Sequence, residues 1–358
     1  MSSSSPSLFV EPPEPLSASV PSPAPSVTTD VLNIYSPQSL TIRIAYKCNI
    51  RCKFCYQGAD LNNETALDEE RMLGMVREGR EAGFIRLGIS GGEAFLYAKS
   101  MAKIIKLAKQ VGYQNISIVS NGFWGKSVRS TRNVLNLLKN AGFTPPQDML
   151  SMSAGEYHQE WIALSNARNI IDAYYTDYNQ PFTIDFEYSK GKDHLVSEFT
   201  DYLCGEGIPE HTYKIRPRTI IAKLGRGKDI DEQTMDTKPI KAFGICPSIG
   251  RFVVQPEGYV VPCCGFNRYI EGLSLGSIYE HSVSEIISMA STNLVNRYLT
   301  HVPLRDMHKE LSKHFDLPSD FSVNCELCEV IFGKQQHIDH LRKIAGEMLN
   351  DGVWSTSK

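Results

Sequence analysis

From Ser39 onward, apolar and polar positions follow two periods that take turns along the chain. Leu40 to Ala45 alternates apolar and polar residues, as a half-buried strand does. Asp68 to Glu81 repeats at helical spacing, with Asp68 placed as a cap and carboxylates in the first turn. Phe84 to Ile89 is a short apolar run that stops at Ser90-Gly91-Gly92, and Ser100 to Gln110 is again helical. Further strands are expected at Ile116 to Val119, Met149 to Met152, Phe182 to Tyr188 and Tyr213 to Ile221. Helices are expected between them, near Val128 to Ala141, Ile162 to Tyr175 and His194 to Gly205. Strand and helix thus alternate about six times, which implies right-handed crossovers and a parallel sheet with ligands at its strand ends.

After about residue 225 the alternation stops. Arg251 to Gln255, the turn Pro256-Glu257-Gly258 and Tyr259 to Pro262 read as a hairpin, and Ser282 to about Leu299 as one helix. A small cysteine-bearing module is therefore expected after the parallel domain. At the other end, the first 30 residues hold seven of the 19 prolines and nine serines, too little apolar surface to offset the entropy of ordering.

Composition narrows the class. Of 358 residues, 42% are apolar, and 37 basic against 40 acidic residues leave a net charge of −3, so no strong field points to nucleic acid or an anionic membrane. No apolar run reaches the roughly 18 to 20 residues needed to cross a bilayer, and no basic residue precedes Arg43. The expectation is a cytoplasmic protein.

Nine cysteines are few and odd in number for a disulfide scaffold, and eight fall into two spaced sets. Cys48, Cys52 and Cys55 form Cys-x3-Cys-x2-Cys after the first strand. Three thiolates on a short loop can hold three irons of a cubane cluster and leave the fourth iron open, whereas structural zinc takes four ligands. In the second set, Cys246, Gly258 and Cys263 are separated by eleven and four residues, and Cys325-x2-Cys328 returns on a loop. By count these four thiols suit a 4Fe-4S cluster or zinc equally. Cys264 is left beside Cys263. Adjacent residues of an extended chain face opposite ways, so if Cys263 ligates, the Cys264 thiol faces away, and an S–H bond is a good hydrogen-atom donor. Cys204 is read as packing.

The triplet, with Ser90-Gly91-Gly92-Glu93 at the tip of the second strand, resembles the radical S-adenosylmethionine (SAM) enzymes over about residues 40 to 225. The spacing of Cys246, Gly258 and Cys263 resembles the opening of the SPASM and twitch auxiliary domains over about 240 to 335. The resemblance implies an α/β fold, a partial (βα)6 barrel at 37–230 with a small C-terminal twitch/SPASM-like iron–sulfur module at 231–340. A disordered tail at 1–36 and a C-terminal helix or tail at 341–358 would flank them.

It also implies cofactors. Cys48, Cys52 and Cys55 would hold a 4Fe-4S cluster whose open iron is chelated by SAM. Cys246, Cys263, Cys325 and Cys328 would hold a second, auxiliary 4Fe-4S cluster. Around SAM the resemblance places Phe54 at the adenine, Gly91, Gly92 and Glu93 at the ammonium, Ser120, Asn121 and Ser153 at the ribose, and Arg216 or Arg218 at the carboxylate. In this family SAM is cleaved to a 5'-deoxyadenosyl radical that abstracts a hydrogen atom.

Four strings sharpen the resemblance: Ser120-Asn121-Gly122-Phe123-Trp124-Gly125, Glu156-Tyr157-His158, Pro262-Cys263-Cys264 and Cys325-x2-Cys328. Together they look like the peptide epimerases that convert L to D residues in ribosomally made peptides, in which the second cysteine of the pair returns the hydrogen. That implies Cys264 as the catalytic residue, a peptide substrate or, on the same chemical plan, an aminoglycoside sugar, and a flavodoxin- or ferredoxin-type reductant. Trp124, Tyr157 and His158 would line the substrate cavity. The competing readings are a radical SAM dehydrogenase or peptide crosslinking enzyme and, outside catalysis, an iron–sulfur or zinc binding protein.

Overall fold

A computed structural model describes residues 37–219, 221–264 and 270–350. The expected tail at 1–36 and the last residues, 351–358, lie outside the described residues. Strands and helices follow in the expected order: β1 (Ser39–Arg43), α1 (Glu69–Glu81), β2 (Arg86–Ser90), α2 (Ala98–Val111), β3 (Asn115–Ser120), α3 (Val128–Asn140), β4 (Met149–Gly155), α4 (Leu164–Tyr178), β5 (Phe182–Glu187), α5 (His194–Gly205) and β6 (Tyr213–Arg218). Each strand pairs in parallel with the next. The Asp68 side chain caps α1 by accepting from the Arg71 amide at 2.8 Å, as the acidic run at its start implied.

Side-chain alternation explains how this sheet makes a site. Leu40, Ile42, Leu87, Ile89, Ile116 and Ile118 are essentially fully buried in the main core. Each such aliphatic side chain contributes about 2 kcal/mol relative to leaving it exposed. Their neighbours Thr41, Arg43, Gly88, Ser90, Ser117 and Val119 turn the other way and line a cavity. Small and polar residues there leave the concave face unfilled.

The alternation ends after β6, but the sheet does not. Beyond β7 (Lys238–Pro239), strand β8 (Phe252–Val254) pairs in parallel with the free edge of β1, and β9 (Tyr259–Val261) and β10 (Gly276–Ser277) follow antiparallel. The order is β10-β9-β8-β1-β2-β3-β4-β5-β6. The hairpin, expected in a module of its own, is thus an extension of the barrel sheet. The reason is apolarity on both faces: Phe252, Val253 and Val254 are all buried, which suits an interior strand, and Phe252 packs on Phe84 with centroids 5.5 Å apart.

Five helices complete the described residues: α6 (Val283–Thr292), α7 (Leu294–His301), α8 (Leu304–Leu311), α9 (Asn324–Phe332) and α10 (Gln335–Asn350), with β11 (Asp320–Phe321) pairing β7. The single helix expected over Ser282 to Leu299 is broken at Asn293, whose side chain accepts from the Asn296 amide at 3.0 Å and restarts the chain as α7. A second core gathers Leu299, Leu304, Met307, Leu311, Ile331 and Leu341. Cys325 and Cys328, expected on a loop, stand in the first turns of α9, where i,i+3 spacing puts them on one face. Cys204 is exposed rather than packed, because α5 buries Phe199 and Leu203 and the next residue falls off that stripe. No helix among the described residues is long and apolar enough to cross a membrane.

Candidate active site

The triplet loop is held from three sides. The Cys48 amide donates to Asp60 O at 3.0 Å and the Cys55 amide to Cys52 O at 3.2 Å. From the β2 tip, the amides of Gly92 and Glu93 donate to Ala45 O and Lys47 O at 2.7 and 2.9 Å. This contact is why Gly92 is glycine: a Cβ there would stand 2.4 Å from Lys47 O. From below, Arg226 donates from Nε to Cys52 O at 3.0 Å and from a terminal nitrogen to Ala59 O at 2.9 Å.

All three triplet cysteines line a cavity of about 370 Å³. Asn121 donates to the Cys48 sulfur at 3.8 Å and to Asn49 Oδ1 at 2.9 Å, tying the loop to the end of β3. Burial pushes the Cys48 thiol up to about 12 and the Cys52 thiol up as well. Phe54, Gly91, Gly92, Ser120, Asn121 and Ser153 line the same cavity.

Glu93 and Arg216 do not. Glu93 is buried and accepts from the Asn121 amide at 2.6 Å, the Phe95 amide at 3.0 Å and Ser120 Oγ at 3.0 Å, and burial raises it to about 7. It braces the β2 and β3 tips against each other. Arg216 and Arg218 both pair with Asp185 on the neighbouring strand, at 2.7 and 2.8 Å. Trp124 and Tyr157 are core residues bonded to Ser120 Oγ and Ser189 Oγ at 3.0 and 3.1 Å.

Three more residues complete the cavity wall, of which Glu187 and Arg43 escaped sequence reasoning while His158 stands where it was expected. Glu187, at the end of β5, is buried and its pKa is driven well up by burial and by Asp185. His158 Nδ1 lies 3.6 Å away from it, and burial lowers this imidazole to about 4. A carboxyl raised by burial and an imidazole lowered by burial therefore share one wall, with Phe54 5.4 Å from the His158 ring. Arg43 is the third. Its terminal nitrogens donate to Gln255 Oε1 at 3.1 Å and to Cys264 O at 2.6 Å, so a charge in the strand pattern Leu40-Thr41-Ile42-Arg43 marks where β1 grips the hairpin.

Cys246, Cys263, Cys264, Cys325 and Cys328 line a second, apolar chamber, and Cys264 borders both spaces. Its thiol is drawn down, first by a hydrogen bond with Cys325, then by Ser248, Arg43 and Arg251, while Cys325 and Cys328 are pushed up.

The family model of the radical SAM superfamily matches residues 42–175, and that of the SPASM iron–sulfur cluster-binding domain matches 246–314. The chain is a radical SAM protein with a SPASM domain. It is 23% identical over 311 residues to YydG of Bacillus subtilis (strain 168), provisionally named a peptide biosynthesis protein, covering 85% of this chain and 94% of that one. It is 23% identical over 280 residues to the sporulation killing factor maturation protein SkfB of the same strain, covering 72% and 67%. Among solved structures, anSMEcpe with bound SAM and a peptide superposes at a TM-score of 0.48 and 14% identity, covering 87% of this chain and 99% of that one. Streptococcus suis SuiB bound to SAM gives 0.48 and 11%, covering 70% and 65%.

A radical SAM domain takes a 4Fe-4S cluster and SAM, and a SPASM domain takes auxiliary iron–sulfur. The residues present fit such groups. Among the described residues, no three cysteine sulfurs lie within 4.8 Å of one another. The three triplet thiols converge on one cavity, and the thiols of the second set on one apolar chamber. The cavity beside the triplet is where SAM would lie.

Proposed function

We propose that this radical SAM enzyme is an epimerase that inverts the Cα centre of one residue in a peptide. The observation that carries the reading is the position of Cys264, on the wall between the triplet's cavity and the chamber of the second cysteine set. The names of YydG and SkfB, which concern peptide biosynthesis and maturation, favour a peptide over a sugar.

In this reading Cys48, Cys52 and Cys55 hold the first cluster, and Cys246, Cys263, Cys325 and Cys328 the auxiliary one. Phe54 offers a face to the adenine, the backbone of Gly91 and Gly92 the ammonium site, and Ser153, Glu187 and His158 hydroxyl, carboxyl and imidazole to the ribose. Asn121 and Ser120 are held in place by Glu93. When bound, the first cluster and SAM supply a carbon radical that takes a hydrogen atom from the substrate.

Cys264 does the rest. Its S–H bond is weaker than most C–H bonds, so it yields a hydrogen atom to the substrate carbon from the face opposite the removal. The sulfur left behind regains that hydrogen as one electron and one proton, the electron from a flavodoxin- or ferredoxin-type donor. This needs the thiol and not the thiolate. The chief cause of its lowered pKa is the hydrogen bond with Cys325. Once the Cys325 sulfur ligates iron it has no proton to donate, and Cys264 keeps its own. Arg43, bonded to the Cys264 carbonyl, fixes where the thiol stands.

The test is the product itself. Anaerobic turnover of a precursor peptide yields a product of unchanged mass whose hydrolysate contains a D residue. A product lighter by two hydrogens, with all residues L, points to dehydrogenation or crosslinking and overturns the reading.

A further inference from the structure

Outside the cavities that the two cysteine sets line, the end of α8 meets α10 at a cluster that the radical chemistry does not use. Glu310 lies in the last turn of α8, His314 in the turn that continues it, and His340 on α10. Each offers one ligand atom, and the three atoms lie within 4.8 Å of one another. We propose that Glu310, His314 and His340 form a transition-metal site of the zinc class that ties α8 to α10.

The chemistry of the donors supports a borderline cation. Two imidazoles and one carboxylate match the ligand set of zinc and its neighbours, whereas calcium and magnesium take oxygen. Glu310 divides its oxygens: Lys313 bonds Oε2, and Oε1 faces His340 Nε2 at 3.7 Å. That nitrogen is buried and has no hydrogen-bond partner. A buried imidazole nitrogen held 3.7 Å from a carboxylate, beyond hydrogen-bond reach, is under-bonded, and a metal ion between the two satisfies both.

The rings also converge. Those of His314 and His340 lie 4.6 Å apart at 56°, tilted rather than stacked face to face. Phe315 stands edge-on to His340 at 6.2 Å and packs on His337 at 4.4 Å, and His337 bonds Val330 O at 2.9 Å. These contacts fix the α10 side of the site. Ligand atoms around tetrahedral zinc sit about 3.3 Å apart, so the cluster closes on the ion by side-chain rotation within about 1.5 Å. His314 is exposed, which gives the ion a way in and leaves its fourth position to water.

Zinc chloride added to the anaerobically reconstituted, cluster-loaded enzyme tests this, with zinc, iron and sulfide measured together after gel filtration. The expected result is one zinc per chain beyond the iron, retained at micromolar free zinc. Affinity falls about tenfold or more in His340→Ala and in His314→Ala while iron and sulfide stay constant. Because His314 is exposed, its truncation leaves the packing intact and decides the matter if His340→Ala fails to fold. Equal zinc uptake by the wild type and both variants overturns the site, as does zinc gained only at the expense of iron, or none retained.

Discussion

Cys264→Ala cleaves SAM at close to the wild-type rate and forms no inverted product. The triplet, the β2 tip and the cavity do not depend on the Cys264 side chain, so 5'-deoxyadenosine and methionine are still released. What is lost is, among the described residues, the only thiol that borders both spaces. Removing a group that itself reacts costs about three orders of magnitude or more, so epimerisation falls below detection while 5'-deoxyadenosine accumulates. The neighbouring Cys263→Ala behaves differently: it removes an expected ligand, and its first readout is a drop in auxiliary iron. If Cys264→Ala still inverts the peptide, the hydrogen comes from elsewhere.

Gly225→Ala empties the first iron site. Gly225 has φ +53°, and a Cβ there would meet Cys55 O and Tyr56 O at 2.4 Å each. The left-handed conformation alone costs an alanine about 1 to 2 kcal/mol. The collision adds a displacement of the triplet loop, since both oxygens belong to its backbone and neither can move alone. A shift of about 1 Å at a reacting centre costs about a hundredfold, so SAM cleavage falls at least that far, with iron per chain dropping by about half. Gly191→Ala is the control. It shares the positive φ, at +78°, but has nothing within 4 Å of the added carbon. It therefore carries the strain without the collision and keeps its iron. Full iron and near-normal SAM cleavage in Gly225→Ala would show that the buttress around Arg226 does not set the loop's position.

The parallel half of the fold was legible because its signals are local. Period-two runs alternate with period-3.6 runs, and Asp68 caps α1 as its neighbours implied. Cysteine spacing likewise marks both sets, since ligands of one group must converge. What the sequence concealed was long-range. That the hairpin would dock on β1 rests on contacts between distant residues, the β1–β8 ladder and the bond of Arg43 to Gln255, 212 positions away. The roles of Glu93 and of Arg216 with Arg218 turned on partners, Asn121 and Asp185, that only the folded sheet supplies. Glu187 carries no motif signal, since it ends β5 and only the folded sheet buries it beside Asp185, which raises its pKa; His158, marked only by the string Glu156-Tyr157-His158, follows β4 in a turn where burial lowers its pKa.

Turnover of the peptide in deuterated water, read by mass spectrometry of the isolated epimer, puts the returning thiol to the most direct test. A thiol proton exchanges with solvent, so one deuterium is expected on the inverted carbon and none elsewhere. An inverted residue carrying only protium would contradict hydrogen return from Cys264.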